Sequence, residues 1–186
     1  MDEPLNPGAP VTRRSFVIGV AAATALLARP SLAATIRAPK IRTLDIEVVR
    51  TGERLRTVYW SDGYYVGDAL QEINVLLRDY RTNEMTTIDP RLLDLMFRLR
   101  TRLETKQPFQ IFSGYRSPLT NALLARKNRR VAKHSLHMEG KAVDLRVPGV
   151  RVRALRNAAM TLRGGGVGYY PQSQFIHIDV GPVRSW

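Results

Sequence analysis

Every second residue of Phe175-Ile176-His177-Ile178-Asp179-Val180 is aliphatic, and Ala142-Val143-Asp144-Leu145-Arg146-Val147 repeats the pattern. Successive side chains of a strand point to opposite faces. Ile176, Ile178 and Val180 therefore form one apolar face, with His177 and Asp179 on the other. Val143, Leu145 and Val147 likewise lie opposite Ala142, Asp144 and Arg146. A fold built on these strands has a sheet with one face turned to a core and another carrying histidine and carboxylate. Upstream, Leu44, Ile46 and Val48 alternate with Thr43, Asp45 and Glu47. Thr51-Gly52-Glu53 supplies a turn, and Leu55 to Trp60 returns as the second arm of a hairpin. Phe109 to Ser113 reads as a short buried strand.

Helices are expected from Asp68, carrying Leu70, Ile73, Leu76, Leu77 and Tyr80, and from Asp89-Pro90, carrying Leu92, Leu93, Met96, Leu99 and Leu103. Two more run from Ser117-Pro118 toward Lys127 and from about Arg151 to Leu162, the last ended by Gly164-Gly165-Gly166. A capping side chain followed by proline is a strong start signal, because the first helical N–H has no intrahelical partner to lose. Strands, then helices, then strands again predict one α+β domain with a mainly antiparallel central sheet flanked by helices.

The first residues stand apart from that pattern. Thr12-Arg13-Arg14-Ser15-Phe16 precedes an uncharged run from Val17 to Ala28, Pro30 interrupts it, and Ser31-Leu32-Ala33 offers small residues for cleavage. A basic start, a short apolar run and an A-x-A-like site describe an export signal, too short for a stable membrane span. The paired arginines resemble the twin-arginine type, the alternative being a chance arginine pair in an ordinary Sec signal. The expected organisation is a signal peptide over 1–33, a flexible leader over 34–41 and a folded domain over 42–186, released into the periplasm. The formal net charge of +13 favours an anionic partner. No nucleic-acid motif accompanies it, so for an exported chain an anionic envelope polymer is the better match than nucleic acid. The absence of cysteine excludes disulfides, thiolate ligands and cysteine nucleophiles. No serine is followed three residues later by lysine, so the S-x-x-K nucleophile is also missing. A metal or a carboxylate pair remains as the route to hydrolysis.

If the two alternating strands are neighbours with polar faces aligned, His137, Asp144 and His177 converge, with Gly140 turning the chain between the first two. Two imidazoles and one carboxylate suit zinc and leave a position for water. The same residues also fit a metal-free arrangement, with each histidine hydrogen-bonded to Asp144 or Asp179. Beyond the three ligand candidates, Ser135, His137, Gly140, Ala142 and Asp144 form the pattern S-x-H-x-x-G-x-A-x-D. Further shared motifs are Thr51-Gly52-Glu53-Arg54-Leu55, Ser113-Gly114-Tyr115-Arg116-Ser117-Pro118 and Gly166-Val167-Gly168-Tyr169-Tyr170-Pro171, with the ending Arg184-Ser185-Trp186.

In these motifs the chain resembles the murein endopeptidase K group, within the zinc D,D-peptidase and Hedgehog-type superfamily, over nearly all of the mature chain after Ala33, including its last residue. The resemblance implies a zinc peptidase domain that binds one Zn2+ per chain through His137, Asp144 and His177 and cleaves peptide cross-links between peptidoglycan stem peptides. It further implies that Arg116 holds substrate or the oxyanion and that Ser135 braces the loop. Many relatives in the wider superfamily carry Glu three residues, or His two residues, before the last ligand, where this chain has Gln174 and Phe175. Asp179 is then the expected proton acceptor, or else it orients a ligand imidazole; Glu139 is a further candidate base, and His134 reads as a surface residue. The alternatives are a carboxypeptidase that trims terminal D-alanine, a wall-binding module without activity, and, were the export signal absent, a basic nucleic-acid-binding protein.

Overall fold

In the computed structural model the hairpin forms where the alternation puts it, with β1 (Ile41–Val48) antiparallel to β2 (Arg54–Ser61). The structure describes residues 40–128 and 132–186. The export signal assigned to 1–33 and all of the leader up to residue 39 lie outside the described residues, and β1 already begins at Ile41. Leu44, Ile46 and Val48 are buried as the alternation requires. Asp45 is buried too, because Arg54 across the hairpin donates to both its carboxylate oxygens at 3.0 and 2.8 Å. A two-residue strand, β3 (Tyr64–Tyr65), extends the hairpin edge.

The helices are α1 (Gly67–Leu76), α2 (Pro90–Arg102), α3 (Pro118–Lys127) and α4 (Val152–Leu162). At α2 the Asp89 side chain accepts from the Arg91 amide, and at α3 Ser117 accepts from the Thr120 amide, each followed by proline as read from the sequence. Two expectations for α1 need correction. Its cap is Val66, with no side-chain bond, and Asp68 lies inside the first turn. Tyr80 lies beyond the helix, because the buried Asp79 accepts the amides of Arg81 and Ser117 at 3.0 and 2.9 Å. A carboxylate that binds nearby backbone competes with helix continuation.

The remaining strands are β4 (Phe109–Ser113), β5 (Ala142–Arg146), β6 (Gly166–Tyr170), β7 (Phe175–Asp179) and β8 (Arg184–Ser185). Among the described residues they complete one eight-stranded sheet in the order β3-β2-β1-β4-β5-β7-β6-β8. Only β1 with β4 and β6 with β8 run parallel, so the expected α+β domain with a mainly antiparallel sheet is borne out. β6 replaces the glycine stop expected after α4, which instead ends at Arg163 in the left-handed conformation. Glycine disfavours strands unless another group must come close, and that is the case here. A Cβ at Gly168 would lie 2.8 Å from the Trp186 indole.

Leu44, Ile46, Phe109, Ile111, Val143, Leu145, Ile176 and Ile178 join Leu92, Met96 and Leu99 of α2 and Leu155 of α4 in one core. Truncating such a side chain typically costs about 2–5 kcal/mol. The apolar face of β5 and β7 is thereby committed to the interior. Asp144, His177 and Asp179 are left on the opposite face.

Candidate metal centre

β5 and β7 are adjacent and antiparallel, and their register sets Asp144 directly opposite His177. On the other side of β7, Gly168 of β6 pairs with His177 and adds no side chain. The third residue comes from a 3-10 turn, Leu136–Glu139, that leads into β5. Ser135 starts this turn, its hydroxyl accepting the His137 amide at 3.4 Å. Gly140 closes it with φ 65°, a conformation that favours glycine. The Gly140 carbonyl accepts the Asp89 amide at 3.0 Å, tying the turn to the start of α2. A side chain at Gly140 would press within 2.3 Å of the Thr87 carbonyl, so the turn has no room to move outward.

His137 is 2% exposed, and its Nδ1 lies 2.8 Å from the Gly114 carbonyl. His177 Nε2 lies 3.0 Å from Asp179 Oδ2. A carbonyl and a carboxylate only accept, so these two nitrogens carry the imidazole protons. The inward atoms are then His137 Nε2, His177 Nδ1 and Asp144 Oδ1, separated by 3.0–3.2 Å. With both imidazoles neutral, three lone pairs face one another with no hydrogen between them. Such a group repels itself unless a cation sits among the three, whether a proton or a metal ion. Zinc at about 2.0–2.1 Å from tetrahedral ligands sets those ligands about 3.3–3.4 Å apart. Donor set and spacing both fit, and the three residues form a cluster able to hold a metal.

The surroundings favour positive charge at this point. Burial opposes ionisation of Asp144, yet positive charge and donated hydrogen bonds from His137 and His177, when protonated, hold its carboxyl well below the usual carboxylate range. Burial also lowers the His137 pKa. For His177 burial acts the same way, but Asp144 and Asp179 outweigh it and raise the pKa. Asp179 is 0% exposed. It accepts from the amides of Gly166 and Gly181 at 2.9 Å and from both terminal nitrogens of Arg184 at 3.1 and 2.7 Å. Burial penalises its charge, but His177, Arg184 and these amides leave it strongly acidic.

Arg116 donates to Asp144 Oδ2 at 3.3 Å and to the Ser113 hydroxyl at 3.2 Å. Its buried Nε has no hydrogen-bond partner among the described residues. Glu139 is exposed and paired with Lys141 Nζ at 2.7 Å. His137, Asp144 and His177 lie in a cleft of about 680 Å³, whose walls include Arg116, Tyr170 and Trp186. His134, exposed as expected, lines the same cleft. Neither Asp179 nor Glu139 does.

The structure brings His137, Asp144 and His177 together, the three residues that the sequence pattern singled out. Sequence reasoning missed the Gly114 carbonyl and the Arg184 clamp on Asp179. No local pattern announces a backbone acceptor; the glycines of β6 were a sign of close approach, and in the structure Arg184 and Trp186 fill that space.

An α+β domain with a buried His–Asp–His cluster opening on a cleft has the makings of a metal-dependent hydrolase. The family model described as Peptidoglycan L,D-endopeptidase MepK matches residues 36–186. The Peptidoglycan L,D-endopeptidase MepK of Escherichia coli (strain K12) is 42% identical over 168 residues, covering 90% of this chain and 92% of the relative. The protein of the same description from Shigella flexneri gives the same figures. The Probable peptidoglycan L,D-endopeptidase MepK of Haemophilus influenzae (strain ATCC 51907 / DSM 11121 / KW20 / Rd) is 41% identical over 157 residues, 84% of each chain. No solved structure matches significantly. The chain belongs to this MepK family of peptidases, as the resemblance to the murein endopeptidase K group implied.

Proposed function

We propose that the chain is a zinc-dependent peptidoglycan endopeptidase of the L,D type, which hydrolyses cross-links between stem peptides outside the cytoplasm. The three facing lone pairs of His137, Asp144 and His177 carry the metal part of this reading. The names of relatives matched over nearly the whole chain carry the substrate part. Export to the periplasm by the twin-arginine route rests on Arg13-Arg14 and the apolar run after them. No helix among the described residues is long and apolar enough to cross a membrane.

His137 Nε2, Asp144 Oδ1 and His177 Nδ1 would hold the ion. When bound, zinc supplies a Lewis acid for the scissile carbonyl and brings the pKa of a water toward neutrality. The Gly114 carbonyl and Asp179 fix the two imidazoles in the tautomers that present lone pairs inward. Asp179 sits behind the His177 ring, outside the cleft, and its role is to orient that ligand rather than to take a proton from substrate water. Arg116 offsets the charge of Asp144, and Arg184 that of Asp179. With both carboxylates offset, the site would leave the positive charge of a bound divalent ion available in the cleft, where Arg116 adds fixed donors for an oxyanion.

Asp179→Asn is expected to weaken zinc binding by about 10–100-fold, with most activity recovered at saturating zinc. Competition with a chromogenic chelator measures this, and unchanged affinity would remove Asp179 from its orienting role.

Digestion of purified cross-linked muropeptides tests the function. The 3-3 dimer, joined between two diaminopimelate residues, should become monomers. Chelator should stop the reaction and zinc restore it, while the 4-3 dimer stays intact. Release of free alanine alone would make the protein a carboxypeptidase. Bound zinc with no cleavage would make it a wall-binding module.

A further inference from the structure

Beside the metal cluster lies an aromatic surface that the chemistry above does not use. The Trp186 indole packs on the His177 ring with centroids 5.2 Å apart, yet the residue remains 49% exposed. It lines the cleft. Its position is held by several contacts. The Trp186 amide donates to the Val167 carbonyl at 3.2 Å, and its own carbonyl accepts the Tyr169 amide at 3.0 Å. The Arg184 guanidinium lies 5.0 Å from the ring centroid. Gly168, opposite His177 in the sheet, leaves the room that the indole occupies. From Trp186 the surface continues to Tyr170, whose hydroxyl meets the indole Nε1 at 3.0 Å, and on to Phe175, stacked on Tyr170 at 4.8 Å.

The bond from Nε1 to Tyr170 decides what this surface recognises. With its single donor already engaged, the indole offers a π face and van der Waals contact only. Such a face is complementary to methylene groups and disfavours a carboxylate, and Arg184 already supplies the cation that the ring also attracts. A peptide whose carbonyl reaches the cluster must pass next to a ring packed on His177. Resting on the cross-linked peptide substrate proposed above, we propose that Trp186 is a specificity-determining residue, the subsite wall for the aliphatic arm flanking the scissile bond. The indole acts on binding and leaves the metal and the bond-breaking step untouched.

Trp60 and Trp186 are the only tryptophans, so the claim can be read in two ways. With the 3-3 muropeptide dimer, Trp186→Ala should raise KM by about tenfold, the scale of losing one large apolar contact. Its kcat should stay within about twofold, zinc content should match that of the parent, and Trp186→Phe should recover most of the loss. Gly168→Ala, whose methyl group displaces the indole, should raise KM similarly but add nothing to Trp186→Ala. In zinc-stripped Trp60→Phe protein the remaining indole's emission should shift as the dimer is added. Unchanged KM in Trp186→Ala, or no emission shift while the parent enzyme cleaves the dimer, would overturn the subsite. Lost zinc and lowered kcat in Trp186→Ala would also overturn it, making the indole a support for His177. A parent protein that cleaves nothing would fail the endopeptidase reading, and the emission titration would still decide the subsite.

Discussion

Changing His137 or Asp144 to alanine is expected to remove zinc and hydrolysis together, with turnover of the 3-3 muropeptide falling by roughly 10⁴-fold. That is the scale of losing several kcal/mol of charge stabilisation at the carbonyl. The two losses are coupled because each residue gives one of three inward atoms, so removing one leaves a pair that binds the ion far more weakly. The fold should persist in His137→Ala. Asp144 projects from the face opposite Val143, Leu145, Ile176 and Ile178, and His137 comes from the 3-10 turn before β5, so neither belongs to the apolar packing that holds the sheet to its helices. Asp144→Ala has an added effect, since it leaves the buried Arg116 guanidinium without its carboxylate, and removing one partner of a buried pair is strongly destabilising. Asp144→Asn keeps an acceptor for Arg116 and is the cleaner variant. Far-UV circular dichroism, zinc content and muropeptide turnover, measured on the same samples, check the expectation. Wild-type turnover in His137→Ala would remove His137 from the ligand set.

Arg116→Ala is expected to lower kcat by about 10²–10³-fold while zinc stays bound, the range seen when one oxyanion donor is lost. The guanidinium touches the candidate ligand Asp144 and also borders the cleft, so two roles compete. Burial depresses its pKa against the opposing pull of Asp144, but an arginine keeps its charge throughout the working range. Arg116→Lys separates the roles. A lysine can still offset the Asp144 charge but cannot reproduce a planar fork of donors. Zinc content near the parent value with kcat still well below it would assign the fork to substrate. Zinc lost from both variants would instead make Arg116 a brace for Asp144.

Much of this centre was legible in the sequence because it depends on strand periodicity. The alternation in residues 142–147 and 175–180 put Asp144 and His177 on polar faces, and the register of β5 against β7 then set them side by side. The caps at Asp89 and Ser117 were readable because each is a local bond between a side chain and an amide a few residues on. The failures have a common origin in distance along the chain. Tyr80 was assigned to α1 because its spacing suits a helix, but Asp79 binds the amide of Ser117, far away in sequence. β6 escaped notice because Gly166 and Gly168 have low strand propensity, and their reason for being glycine lies in Arg184 and Trp186. Asp179 could be narrowed only to two roles from the sequence. Its amide partners, Gly166 and Gly181, and the Arg184 clamp become apparent only when the strands are assembled.

X-ray absorption at the zinc edge of the purified protein tests the central claim most directly. One zinc per chain should be found in a shell of nitrogen and oxygen at about 2.0–2.1 Å, with outer scattering from two imidazoles, and His177→Ala should hold no zinc in that shell. A zinc shell with no imidazole contribution, or one unchanged in His177→Ala, would contradict the account.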